Sequence, residues 1–211
     1  MKKFLVSLAV SLSLIFAPMA SSLAIEPVKP SKEQVISNHL FVTQFYDSDY
    51  LDLMIQTQNL KKGDTLKLTI MSGGGAAVVA IAMVDLIEEL KAKGVHVVTE
   101  VAGMSLSAAA LLWMTGNERI ISSSDMMMFH TCVDNYGRSV NKVKRGKTEV
   151  YVMEWFNYLM RQYLLNVLHD TELVNKLLAD PGKQDEEYNM NWFTGEEVWE
   201  LGLATKFIKT L

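Results

Sequence analysis

The chain has 211 residues, with 20 Lys or Arg against 24 Asp or Glu, a net charge of −4 and one cysteine, Cys132. That balance excludes the basic surface of a nucleic-acid-binding protein, and the lone cysteine excludes an internal disulfide, with no Cys and His spacing that resembles a zinc site. The length suits one domain large enough to bury a core without staples.

The chain begins MKKFLVSLAVSLSLIFAPMASSLA, where Lys2 and Lys3 precede an apolar run that ends in small residues. This is the pattern of a secretory signal peptide, with cleavage expected after Ala24 and Ala20 as the alternative. The run is short for a membrane span. Removing residues 1–24 takes away Lys2 and Lys3 and no acid, so the mature chain carries a net charge of −6. The protein is therefore expected to be exported, to a periplasm or beyond the cell. Residues 25–37 are polar and carry prolines, which reads as a flexible leader, and a single domain is expected over 38–211.

Within that domain HLFVTQFY reads as a strand, and DSDYLDLMIQTQNL as a helix capped by Asp47 or Ser48. TLKLTIM is a second strand, followed by Ser72-Gly73-Gly74-Gly75 and a helix with Val79, Met83, Leu86 and Leu90 on one face and Gly94 as its stop. VHVVTEV is a third, buried strand, and ERIISS and MMMF are short ones. Strand and helix alternate, so the expected fold class is α/β, built from crossover units on a mostly parallel sheet. From Thr148 to His169 a long helix carries apolar residues on more than one side. Trp155, Phe156, Leu159, Tyr163 and Val167 are assigned to the core, and Met153, Met160 and Leu164 to a second surface for a partner subunit. In the tail, Thr194 and Glu197 form a capping box, and a closing strand follows.

Three places carry chemistry. Ser105 and Ser107 stand in GMSLSAAALL, where a strand gives way to a helix whose first N–H groups are unpaired and can receive an oxyanion. A serine needs a base to be a nucleophile at neutral pH. His130, at the end of MMMF, is the candidate base, against the alternative of a histidine satisfied in the core or beside Asp125 or Asp134. The Gly73-Gly74-Gly75 turn lacks the third glycine of a dinucleotide site and the lysine and hydroxyl of a P-loop. It leaves exposed N–H groups suited to an oxyanion hole or to a peptide backbone.

Taken in order, IMSGGGAAV, GMSLSAAALL, MMFHTC and NWFTGEEVWELGLATKFI resemble the proteolytic subunit of the Clp protease, a serine peptidase of crotonase-like fold with a strand-helix handle. The resemblance runs from about Leu40 to the C-terminus. It implies Ser105 as nucleophile, His130 as general base, and the N–H groups of Gly75 and Leu106 as the oxyanion hole, with Gly73 and Gly74 against the bound peptide. Asn191 falls where the family has its aspartate, Ser107 where a glycine follows the nucleophile, and Gly73 where a proline stands.

Asparagine can accept the histidine Nδ1–H but brings no charge to the imidazolium. In chymotrypsin-like proteases that exchange costs about four orders of magnitude in turnover. A slow Ser-His-Asn enzyme, a triad completed by Asp185, Glu186 or Glu187, and an inactive relative remain open at this point.

The resemblance further implies a homo-oligomer of stacked seven-membered rings joined through the handle, with peptides or unfolded proteins as substrates and no cofactor or metal. Export removes the protein from ATP, so no AAA+ unfoldase partner is expected. The competing readings are an inactive peptide-binding or assembly protein of the same fold, an acyl-thioester enzyme, and an esterase that takes GMSLS as a loose nucleophile elbow. The esterase would need His169 as its late histidine. The basic run Arg138, Lys142, Lys144, Arg145 and Lys147 reads as a solvated loop, Glu196 and Glu197 serve a helix N-terminus, and Cys132 is a small buried apolar residue.

Overall fold

The computed structural model describes residues 36–133, 148–178 and 191–210. The expected signal peptide, the basic run from Arg138 to Lys147 and the acids Asp185, Glu186 and Glu187 lie outside the described residues. The α/β expectation holds: five strands, β1 (Asn38–Val42), β2 (Thr65–Ser72), β3 (His96–Leu106), β4 (Glu118–Ser122) and β7 (Lys206–Ile208), form a parallel sheet in the order β1-β2-β3-β4-β7. Their β-branched and apolar runs are buried on the inner side, with Leu66, Leu68, Ile70 and Val97 fully enclosed.

β3 is longer than its apolar run VHVVTEV indicates, because it has two partners on one edge. Its first half pairs with β4, Val98 opposite Glu118, and its last residues pair with β5 (Met126–Phe129), Met104 opposite Met126 and Leu106 opposite Met128. On the other edge Ile70 faces Val101 while Ser72 faces Ser105, so β3 bulges between them. Gly103, at φ +87, sits in the bulge. Its N–H donates to Asp125 Oδ1 at 2.7 Å instead of to a strand.

Asp125, in the β4–β5 turn, also accepts the Ser122 N–H on Oδ2 at 2.6 Å, and its carbonyl accepts the Gly195 N–H at 2.8 Å. One buried carboxylate thus fixes the point where β3 changes neighbours. It is spent on backbone donors and does not partner His130.

The tail contains a strand not anticipated from the sequence, β6 (Asn191–Thr194), antiparallel to β5. NWFT is too short for a periodic signal and is specified by its pairing. The helix α6 (Gly195–Glu200) follows with the expected capping box: the Thr194 N–H donates to Glu197 Oε2 at 2.7 Å, and the Glu197 N–H to Thr194 Oγ1 at 3.3 Å. A Cβ on Gly195 would lie 1.8 Å from the Ser122 carbonyl oxygen. Backbone cannot yield as a side-chain tip does, so Gly195→Ala should lower stability by about 3 kcal/mol or more. In a chain of this size that is a fall of about 10 °C in melting temperature, readable by calorimetry.

Helices α1 (Asp47–Thr57), α2 (Ala77–Ala92), α3 (Ala108–Met114), α4 (Thr148–Leu168) and α5 (Thr171–Leu177) complete the described elements. The α1 cap is Tyr46, whose N–H donates to Asp49 Oδ2, rather than Asp47 or Ser48. Every residue of α3 is buried, as its uniformly apolar sequence requires, and it lies against β3, α2 and α4. Tyr163 Oη donates to Glu88 Oε1 at 2.6 Å and ties α4 to α2. Burial and the adjacent carboxylate hold that phenol well above its ordinary range.

The expectation for α4 holds in part: Phe156 is buried and Leu159, Tyr163 and Val167 pack partly buried against the core, as assigned, but the residues given to a second surface are buried as well. Met153, Met160 and Leu164 are buried together with Val150 and Phe156, spaced three or four apart on one stripe, while Trp155 is half exposed. Composition shows that α4 has more apolar residues than one stripe can hold. Only packing selects which stripe turns inward, and here the stripe that carries Met153 and Met160 is the buried one, with α4 packed on α2 and α3.

Candidate active site

Parallel pairing of β3 with β5 brings the ends of both strands to one place. The Ser107 N–H donates to the Met128 carbonyl at 2.9 Å, which carries the ladder to the last residue before α3, and His130 follows β5 directly. There His130 Nε2 lies 2.6 Å from Ser107 Oγ. Ser107 caps α3 at φ 57, ψ −118, a conformation that a non-glycine residue holds only when its surroundings impose it, at a cost of about 1–3 kcal/mol. A strained serine between a strand and a helix is how a nucleophile elbow exposes its hydroxyl.

The structure therefore pairs His130 with Ser107 and not with Ser105. Ser105 lies inside β3, opposite Ser72 and Met127; it is fully buried and its Oγ has no hydrogen-bond partner among the described residues. Serines two apart on a strand share a face, so the pattern of the sequence alone does not separate them. The discriminating signal was the position of the helix start: the alanine run opens at 108, which makes Ser107 the residue at the turn.

The oxyanion assignment shifts with the serine. Leu106 precedes Ser107 and belongs to the ladder opposite Met128. The N–H that follows the reacting serine is that of Ala108, the first residue of α3, which has no partner within its own helix.

Gly74 presses against this turn. At φ +94, its Cβ would lie 2.7 Å from the Leu106 carbonyl oxygen, 2.9 Å from Ser107 Cβ and 3.2 Å from Ala108 N. Only glycine fits. The Gly74 N–H donates to Ser72 Oγ at 3.1 Å, so Gly74 holds the turn, while Gly73 and Gly75 remain exposed beside it.

His130 is buried, and burial lowers its pKa from the ordinary 6.5; the neighbouring Thr131 backbone opposes this in part without forming an aligned bond. Its Nδ1 is enclosed and carries no hydrogen bond among the described residues. Asn191 Oδ1 does not accept from it, and Asn191 Nδ2 donates to the carbonyls of Lys176 at 2.7 Å and Leu177 at 3.1 Å. Cys132 is buried, and its N–H donates to Asn157 Oδ1 at 2.6 Å. Among the described residues no group of three His, Cys, Asp or Glu is placed to hold a metal ion.

A hydroxyl on a strained strand-to-helix turn, an imidazole in hydrogen-bond contact with it and a free helix-start N–H define the serine-hydrolase class of arrangement. A family model described as Clp protease matches residues 31–210, and the chain belongs to that family.

Among solved structures it is similar to an asparagine-to-aspartate mutant of ClpP1 from Listeria monocytogenes, at 15% identity and a TM-score of 0.61, covering 82% of this chain and 91% of that one. It is also similar to the ClpP protease catalytic domain from Plasmodium falciparum, at 16% identity and a TM-score of 0.59, covering 82% and 85%. These likenesses show the ClpP fold. No curated protein matches the sequence.

Proposed function

We propose that this Clp protease family member is an exported serine endopeptidase that cleaves peptides or unfolded chains without an ATP-driven unfoldase, with Ser107 as nucleophile and His130 as general base. The observation that carries this reading is the 2.6 Å contact between Ser107 Oγ and His130 Nε2. For the hydroxyl to donate, Nε2 must be bare and the ring proton must sit on Nδ1. His130 takes the Ser107 proton as Oγ attacks the peptide carbonyl, the N–H groups of Ala108 and Gly75 receive the oxyanion, and the imidazolium returns the proton to the leaving amine. The imidazolium has no carboxylate hydrogen-bonded to it among the described residues, so turnover is slow.

Export rests on the N-terminal sequence pattern, and independence from ATP follows from export. Assembly into rings is supported by an unpartnered stripe on α4: Tyr151, Trp155 and Tyr158 are 66%, 49% and 50% exposed, with the last two rings stacked at 5.2 Å. The mature protein, incubated with an unstructured protein and no nucleotide, should generate fragments and gain the mass of a fluorophosphonate on Ser107. Folded protein that does neither would leave the inactive peptide-binding or assembly role, which the empty Nδ1 of His130 favours.

The rate should also depend on pH with a determinable sign. His130 acts as a base only when neutral, and burial favours the neutral ring. Thus kcat/KM should rise with pH with its midpoint below 6.5, the ordinary value for an imidazole. The same shift makes the unfolded chain bind the proton more readily, so stability falls as pH drops through that ordinary value. A pH–rate profile with its midpoint above 6.5 would contradict the buried base.

A further inference from the structure

Asn191 stands opposite Phe129 in the β5–β6 pairing, one residue before His130. Consecutive strand side chains alternate between faces, so the neighbour of Phe129 is not automatically a neighbour of His130. Its amide is instead committed to α5. Nδ2 donates to the Lys176 carbonyl at 2.7 Å and to the Leu177 carbonyl at 3.1 Å, two of the last acceptors of a helix whose final carbonyls have no partner in the helix itself. Two carbonyls on one nitrogen define which end of the amide is the donor. Meanwhile His130 Nδ1 is enclosed and unpartnered among the described residues.

We propose that Asn191 is a clasp on the C-terminal end of α5, a positioning residue that joins α5 to β6, and that it does not serve as the acceptor for His130. The clasp requires an amide. An aspartate at this position has no donor and would set a carboxylate oxygen against two carbonyl oxygens at the negative end of a helix. α5 is otherwise held by the burial of Val174 and Leu177 and by Arg161 of α4, whose Nη1 donates to Asn175 Oδ1 at 2.7 Å, so the two amide bonds are what joins it to β6.

Two measurements on the full mature chain test this, and neither needs turnover, so they are independent of the proposed protease activity. Hydrogen exchange over residues 171–178 should quicken about five- to tenfold in both Asn191→Ala and Asn191→Asp, the size expected for one or two lost hydrogen bonds, with exchange in β3 and α3 unchanged. The NMR titration midpoint of His130, assigned with His130→Gln, should be the same in Asn191→Ala as in wild type. Asn191→Gln, which keeps the amide donors, should retain more of the protection than Asn191→Ala and serves as the test if the alanine variant does not fold. Unchanged exchange at 171–178 in Asn191→Ala, or a shifted His130 midpoint there, would overturn the clasp and return Asn191 to the histidine.

Discussion

Ser107→Ala should abolish capture by a fluorophosphonate and lower peptide turnover by roughly three orders of magnitude or more, the loss seen when a nucleophile of this class is removed. Ser105→Ala should retain both. The reasoning is geometric: Ser107 has the base at 2.6 Å, the strained turn and the free N–H of the next residue, whereas Ser105 is sealed inside β3. The second variant should also be the more stable protein. Ser105 Oγ is buried without a partner among the described residues, and removing an unsatisfied hydroxyl recovers roughly 1 kcal/mol. Intact mass with and without the probe, beside a thermal melt, reads both effects. A probe adduct that disappears in Ser105→Ala and persists in Ser107→Ala would mean that the Ser107–His130 contact is not the reacting pair.

The second large effect belongs to Asp125, which is remote from the chemistry. Its two carboxylate oxygens accept from Gly103 and Ser122 at 2.7 and 2.6 Å, and it is buried. Asp125→Ala strands two N–H donors, each of which loses a bond to a charged acceptor worth about 1.5–3 kcal/mol. Partial relaxation of the turn reduces the sum, so the expected loss is about 3 kcal/mol. Asp125→Asn should also destabilise, because one end of the amide turns a donor toward an N–H. Since Gly103 marks the point where β3 exchanges β4 for β5, the same change should loosen the alignment of Ser107 with His130. The variant is therefore expected to lose activity at temperatures where it is still folded. Denaturant unfolding gives the first quantity and turnover below the melting range the second. A midpoint equal to that of the wild type would show that the N–H groups find other partners.

Much of this was legible along the chain. The βα alternation, the Gly74 turn, the α3 run and the Thr194–Glu197 box are local, and each appears where its residues place it. His130 was legible too, because a histidine that ends a strand next to a strand-to-helix turn stands where strand ends converge. β6 was not, since four residues become a strand only through the partner that pairs with them. Nor was the inward stripe of α4, which depends on the space that α2 and α3 leave.

By itself the sequence determined the family, the class of fold and the ingredients of the site: a hydroxyl at a strand-to-helix turn, a histidine after the next strand and glycines beside them. Which hydroxyl meets the histidine was decided only by the tertiary structure. Ser105 and Ser107 stand two apart in the sequence, and a pattern of period two, which would put both on one face of a strand, cannot tell them apart. The bulge at Gly103, the pairing of Leu106 with Met128 and the start of α3 at Ala108 together set the strand's end, and the end of the strand selects Ser107.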